Sequence, residues 1–244
     1  MMRYSATLHW MLLPLWLCCG QAFAQITVDG VLDEPEWQQA QVFSDFVVTE
    51  PMTGEASPYA TEARMYTDDD GIYFGFSNYQ PAEVPRIQRR FARDEFIQAD
   101  RNIVGIDFDG TGLSAYDFTV GIANSQSDGS YRGEKDFTGD WDGTWYSQTS
   151  QTEDHWYVEM FIPWTVAPMA DPGSVRKTMT VYLGRFVWSE SIRLAYPFSA
   201  FTRPTFVSDW EPVEVDFKKT QTLDWFPYLT GTHDLEEEDS ELKA

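Results

Sequence analysis

A chain of 244 residues with 39 acidic and 17 basic side chains carries a formal net charge of −22, which sets nucleic acid and anionic lipid against it as partners on Coulombic grounds. Its two cysteines are adjacent, Cys18 and Cys19, so everything downstream lacks disulfides, thiolate metal sites and a cysteine nucleophile. Ten tryptophans and an aromatic fraction of 16% are a generous supply for packing one domain, and rings left at a surface suit the apolar faces of pyranose sugars.

The first residues read as an export leader over 1–24. Met1 to Arg3 gives a positive start, Met11 to Leu17 an apolar run, and Ala22-Phe23-Ala24 a small-x-small cleavage site. Cleavage after Ala24 is expected, with delivery to the periplasm, the cell surface or the medium. The bulky Leu15, Trp16 and Leu17 before the cysteines do not fit lipoprotein processing. About 220 mature residues then suffice for one large domain, expected over 25–228, followed by an acidic, disordered tail over 229–244 that holds Glu236-Glu237-Glu238-Asp239.

Past the leader, Asp33 to Ala40 carries a capping-box pattern, Asp33 with Glu36 three residues on, and predicts one short helix. The remaining segments alternate with period two and break at Gly, Asp and Asn clusters, the pattern of an antiparallel all-β domain. Thr61 to Tyr66 and Gly71 to Asn78 form a hairpin through Asp68-Asp69-Asp70. Asn102 to Asp109 pairs with Ala115 to Ala123, burying Val104, Ile106 and Phe108 against Tyr116, Phe118, Val120 and Ile122. Thr144 to Gln151 pairs with His155 to Ile162, Thr178 to Trp188 forms a long strand, and Val213 to Phe217 a closing one. Arg86 to Asp94 is the one basic cluster, a helix or a loop against the acidic body. The fold class read from this pattern is therefore all-β and antiparallel, with one short N-terminal helix.

The opening Ile26-Thr27-Val28-Asp29-Gly30-Val31-Leu32-Asp33-Glu34-Pro35-Glu36-Trp37 resembles the first strand, turn and Trp-bearing helix of family 9 carbohydrate-binding modules. Tyr66 to Phe76, Asp100 to Asp109, Trp141-Asp142-Gly143-Thr144-Trp145 and Trp156 to Trp164 follow in matching order, so the resemblance covers most of the mature chain. It is strongest to the amino-terminal domain of bacterial proteins that carry such a module ahead of an outer-membrane β-barrel. Phe226-Pro227-Tyr228 looks like the lead-in to that barrel. The resemblance implies a two-sheet antiparallel β-sandwich of jelly-roll type, non-catalytic sugar binding, calcium, and association with glycan breakdown or uptake. An oligo- or polysaccharide and an outer-membrane barrel protein are the implied partners.

In the sugar-binding members two tryptophans sandwich a terminal ring. Trp210, in Ser208-Asp209-Trp210-Glu211-Pro212, looks like the second of them; the first falls at Phe96 or Ile97, where no Trp stands. The family's acidic sugar ligand falls near Ile103 or Gly105 and its arginine near Thr119, without a match. Trp210 and Phe96 are thus the expected stacking pair, Asp209 and Glu211 the flanking acceptors, and Trp141 and Tyr131, in an acidic loop, further rings free for a ligand. Trp37, Trp145, Trp156 and Trp164 are expected in the core. Asp107, Asp109 and Asp117 on the outward face of the second hairpin, and Asp140 and Asp142 beyond it, are candidate ligands for calcium, the natural cation for an all-oxygen site. A glycosidase needs at least two placed carboxylates, and no motif singles any out. His9, His155 and His233 are too scattered for a triad or a zinc site. No catalytic residue is assigned. The competing readings are an envelope interaction domain that docks on a membrane barrel, and a glycoside hydrolase.

Overall fold

The computed structural model describes residues 25–170 and 174–217. The leader expected over 1–24, the Phe226-Pro227-Tyr228 segment and the acidic tail over 229–244 lie outside the described residues. Thirteen strands run in chain order among the described residues. The early ones are β1 (Gln41–Phe43), β2 (Val47–Glu50), β3 (Thr61–Thr67), β4 (Gly71–Tyr79), β5 (Arg101–Asp107) and β6 (Ser114–Gly121). Next come β7 (Gln126–Arg132), β8 (Asp136–Thr138), β9 (Tyr146–Gln151), β10 (His155–Pro163), β11 (Arg176–Val187), β12 (Ile192–Tyr196) and β13 (Glu211–Asp216).

They form two antiparallel sheets. One has five strands in the order β1-β3-β4-β10-β9; the other has eight, β2-β12-β11-β5-β6-β7-β8, with β13 pairing the first half of β11. The three expected hairpins are present, with Tyr66 opposite Tyr73, Ile106 opposite Tyr116, and Phe161 opposite Tyr146. The alternation of each strand fixes its register, since a one-residue slip would turn every core side chain outward. Facing inward are Phe74, Phe76, Val158 and Met160 from the smaller sheet and Val104, Ile106, Phe118, Val120, Val181 and Leu183 from the larger. All ten are fully buried, and each such side chain contributes ~1.5–3 kcal/mol relative to exposure. Trp145, Trp156 and Trp164 lie in this core, as expected of them.

One end of the sandwich is polar. Between the two sheets Asn78 Nδ2 donates to Asn102 Oδ1 (2.8 Å) and Asn102 Nδ2 to Asn78 Oδ1 (3.2 Å). Beside them the fully buried Arg185 reaches Thr61 Oγ1, Tyr79 O, Gln80 Oε1 and Ala60 O through its two Nη atoms.

Two local expectations change. The helix of Asp33 to Ala40 is a single 3-10 turn, Pro35–Gln38, and Asp33 does not cap it. Pro35 starts the turn, and the Glu34 carboxylate instead accepts from Thr27 N (3.0 Å) and Trp37 Nε1 (3.1 Å). The stretch read as an acidic loop after the second hairpin contains β7 and β8, which extend the larger sheet. Arg86 to Asp94 is a loop held to the acidic body, with Arg93 against Asp128 (2.5 Å) and Asp142 (3.1 Å).

Each sheet also has an outer face. On the five-stranded sheet the N-terminal segment seals it, with Ile26 and Trp37 packed on Tyr73. On the eight-stranded sheet a loop between β12 and β13 covers only part of it, contributing Phe206, Val207 and Trp210 to a cluster with Ile103, Ala115, Tyr131 and Tyr182. What remains uncovered is a cleft.

Candidate functional site

The cleft has a volume of about 530 Å³, within the ~300–1,000 Å³ of ordinary small-ligand sites. Its floor comes from outward positions of adjacent strands: Arg101 and Ile103 on β5, Asp117 and Thr119 on β6, Ser127 and Tyr131 on β7. These are the residues between the core positions, so the alternation that buries Val104 and Phe118 also aims Ile103 and Asp117 the other way. Arg193 on β12 and Thr49 and Glu50 on β2 close one side. Phe96, Phe137, Phe201 and Thr202 form the walls.

The wall rings are open to a ligand, with Phe96 66% exposed, Phe201 48% and Phe137 46%. The floor is polar and charged. Asp117 accepts from Thr119 Oγ1 at 2.8 Å, and burial among protein atoms pushes its pKa up to about 6 despite that bond and the nearby Arg193 and Arg101. Arg193 meets Glu50 Oε2 through Nε at 3.2 Å. Arg101 lies under Phe96, with its guanidinium 5.2 Å from that ring and 4.4 Å from Phe186. A ring lying on Phe96 would therefore meet acceptors and cationic donors within one site.

Of the expected stacking pair, Phe96 stands at the mouth and Trp210 does not. Trp210 is 3% exposed. Its indole drops onto Gly105, where a Cβ would lie only 2.6 Å from the ring, and it is walled by Tyr182 (stacked, 5.8 Å), Phe206 and Tyr131. It supports the cleft from below. Tyr131 reaches the floor from β7 rather than from a loop, and is 8% exposed. Trp141 lies elsewhere, packed on Tyr116 and Phe118 at the main core. Asp209 turns to Thr205 Oγ1 (2.9 Å) and Arg203 (3.4 Å), and Glu211 begins β13 beside Tyr196; neither lines the cleft.

The candidate calcium ligands are dispersed. Asp107 is taken up by its own turn, accepting from the backbone N–H groups of Asp109, Gly110 and Gly112 at 3.0, 2.9 and 2.6 Å. Asp109 pairs with Lys177 at 2.7 Å, Asp140 bonds to Thr138, Asp142 pairs with Arg93, and Asp117 faces the cleft. Among the described residues no three acidic, histidine or cysteine side chains gather as a ligand set. The five carboxylates named as candidates are thus not brought together as one ligand set.

The cleft residues that pattern reading missed are Arg101, Thr119, Ser127, Phe137, Arg193 and Phe201. For Arg101 and Thr119 a signal existed, since both hold outward positions of the second hairpin, opposite in parity to its core stripe. Phe201 lies in a loop without periodicity, and nothing local marks it.

No protein-family model matches the sequence, and no curated protein does. Solved structures share the fold. A family 9 carbohydrate-binding module from Caldicellulosiruptor kristjanssonii, in complex with cellotriose, superposes with a TM-score of 0.54 at 13% identity, over 84% of this chain and 97% of that one. Its glucose complex gives 0.54 at 13% over 83% and 96%. A candidate carbohydrate-binding protein from Bacteroides uniformis gives 0.57 at 11% over 74% and 88%. At such identities the likeness is one of architecture, and the chain has the sandwich fold of these modules.

Proposed function

We propose that this chain is a non-catalytic carbohydrate-binding module that holds a sugar ring in the cleft on the outer face of its eight-stranded sheet. The observation that carries this reading is the pairing of three exposed phenyl rings with a floor of Asp117, Thr119, Arg101 and Arg193. Pyranose rings ask for that combination, an apolar face to lie on and donors and acceptors for the hydroxyls around the rim. The modules of the same fold hold cellotriose and glucose, which supports a saccharide as the ligand class.

The setting is an exported protein, in the periplasm or outside the cell, where polysaccharide is met and broken down or taken up. The leader expected over 1–24 supports that placement. Titration calorimetry of the mature chain against a panel of mono- and oligosaccharides, cello-oligosaccharides included, tests the reading. Saturable binding that Asp117→Ala weakens about 10-fold or more is expected, as for loss of a charged hydrogen-bond partner, with no release of reducing ends. A panel without a single binder rejects it.

A further inference from the structure

The floor of the cleft is charged in a way that a neutral sugar does not use. Arg101 is 4% exposed, and both hydrogen bonds it makes leave from Nη1, to the carbonyl oxygens of Ile97 (2.7 Å) and Ala99 (3.3 Å). No carboxylate among the described residues pairs with it. Phe186, Phe96 and Trp188 surround the guanidinium at 4.4, 5.2 and 5.4 Å. Burial, with Arg193 nearby, pulls its pKa down to about 10, so it remains a cation at neutral pH. The contrast is Arg185, whose two Nη atoms share four protein acceptors at the polar end of the sandwich. Arg185 commits both Nη atoms to the protein and leaves only its buried Nε unpartnered; Arg101 commits only Nη1, and among the described residues its Nε and Nη2 have no protein acceptor.

A second guanidinium stands nearby. In the strand register both Arg101 and Arg193 lie opposite Phe186, one on each side of it, and Arg193 is 5.8 Å from the same ring. Glu50 meets Arg193 and Asp117 is bonded to Thr119, so the cation with no protein carboxylate is Arg101. Asp117 and Glu50 share the field of the two arginines without pairing directly with Arg101, and a guanidinium with free N–H groups presents paired donors in the geometry of a carboxylate.

We infer that the cleft selects an acidic saccharide, a uronic acid residue whose carboxylate is received at Arg101 with Arg193 beside it, while its ring lies on Phe96. This rests on the cleft being the sugar site. The net charge of −22 does not oppose it at close range, because mobile salt screens surface charge beyond ~8 Å at physiological ionic strength; within the cleft Arg101 and Arg193 balance Asp117 and Glu50, and the carboxylate is received at the side of Arg101, where no protein carboxylate among the described residues pairs with the guanidinium.

Calorimetry of the mature chain against oligogalacturonides and oligoglucuronides, each compared with the same oligomer after reduction of its carboxyl groups to alcohols, decides the matter. The acidic form of one series is expected to bind about 10-fold or more tightly than its reduced counterpart, an advantage that shrinks as salt is raised. Arg101→Met is expected to remove the advantage, weakening the acidic form about 10-fold more than the reduced oligomer, and Arg193→Gln, at a more open position, to cut it several-fold. Circular dichroism melts of both variants establish that they fold. A reduced oligomer that binds as well as its parent overturns the inference and leaves the sugar-binding reading standing. No binding of either form, nor of any neutral glycan, overturns both.

Discussion

The two sheets treat their outer faces in opposite ways with the same device. On each, a glycine in mid-strand leaves a notch for an indole. Gly75 lies under Trp37, where a Cβ would be 3.0 Å from the ring, and Gly105 lies under Trp210, where it would be 2.6 Å away. On the five-stranded sheet the indole N–H donates to Glu159 Oε1 (3.1 Å), and Glu159 Oε2 accepts from Asp29 N (2.8 Å) and Gly30 N (2.7 Å). That carboxylate fastens the N-terminal segment, and the face closes. On the eight-stranded sheet Trp210 Nε1 is buried without a hydrogen-bond partner, the covering loop stops short, and Asp117 accepts from one side-chain hydroxyl. Its carboxylate is left with acceptor capacity that Glu159 commits to the fold.

The largest effect should come from undoing the sealed face. Glu159→Ala leaves the backbone donors of Asp29 and Gly30 facing a hole, at ~1–3 kcal/mol for each buried group left unpaired, while the indole keeps Glu34 (3.1 Å). Destabilisation on the order of 2–4 kcal/mol is expected in urea unfolding near pH 5, where burial of the carboxylate, whose pKa is lifted to about 7, carries the least penalty, with sugar affinity of the folded fraction unchanged. A shift below about 1 kcal/mol would mean that the apolar contacts of Ile26, Leu32 and Trp37 hold that segment unaided.

The open face should respond with the opposite sign. Burial raises the pKa of Asp117 from 3.8 to about 6, so between those values the folded chain binds a proton that the unfolded chain has released. Stability from this group is therefore lost as pH rises from about 4 to about 6, and stays lost above. Asp117→Asn removes the loss. The variant should match the parent near pH 4 and exceed it above pH 6 by an amount on the order of 2–3 kcal/mol, while its sugar affinity falls. Thermal melts at several pH values on both proteins make the comparison, and taking the difference cancels the similar slope from Glu159, whose pKa burial lifts to about 7. A variant less stable at neutral pH would show that Asp117 works as a structural acceptor, like its counterpart on the other sheet.

This asymmetry explains which features were legible in the sequence. The core stripes of β4, β5, β6 and β10 alternate, so both the hairpins and the burial of Trp156, which shares a face with Val158, Met160 and Ile162, follow from period alone. β7 escaped because Gln126 to Arg132 carries one apolar residue, Tyr131, among polar side chains and a glycine; its outward positions face the cleft and have no core to fill. Trp210 looked free because its neighbours in sequence are Asp209 and Glu211. What buries it is Gly105 on another strand, a pairing that no local pattern announces. Asp117 was recognisable as an outward carboxylate. Whether such a group meets a cation or a sugar depends on the groups that neighbouring strands bring beside it, and here those are Thr119, Arg101 and Arg193.

The smallest change in stability belongs to Phe96, and it isolates binding from folding. The ring is 66% exposed and touches only the edge of Trp188 (6.3 Å) and the Arg101 guanidinium, so Phe96→Ala should alter stability by no more than ~0.5 kcal/mol. Sugar affinity should nonetheless fall about 5–10-fold, the worth of one stacking face at ~1–1.5 kcal/mol, and Phe96→Trp should recover or exceed the parent value by offering a larger one. Calorimetry of the three proteins with one ligand reads this out. Unchanged affinity in the alanine variant would shift the stacking role to Phe137 and Phe201 on the opposite wall. The ring would then lie away from Arg101, and the acidic preference would have to come from Arg193 alone.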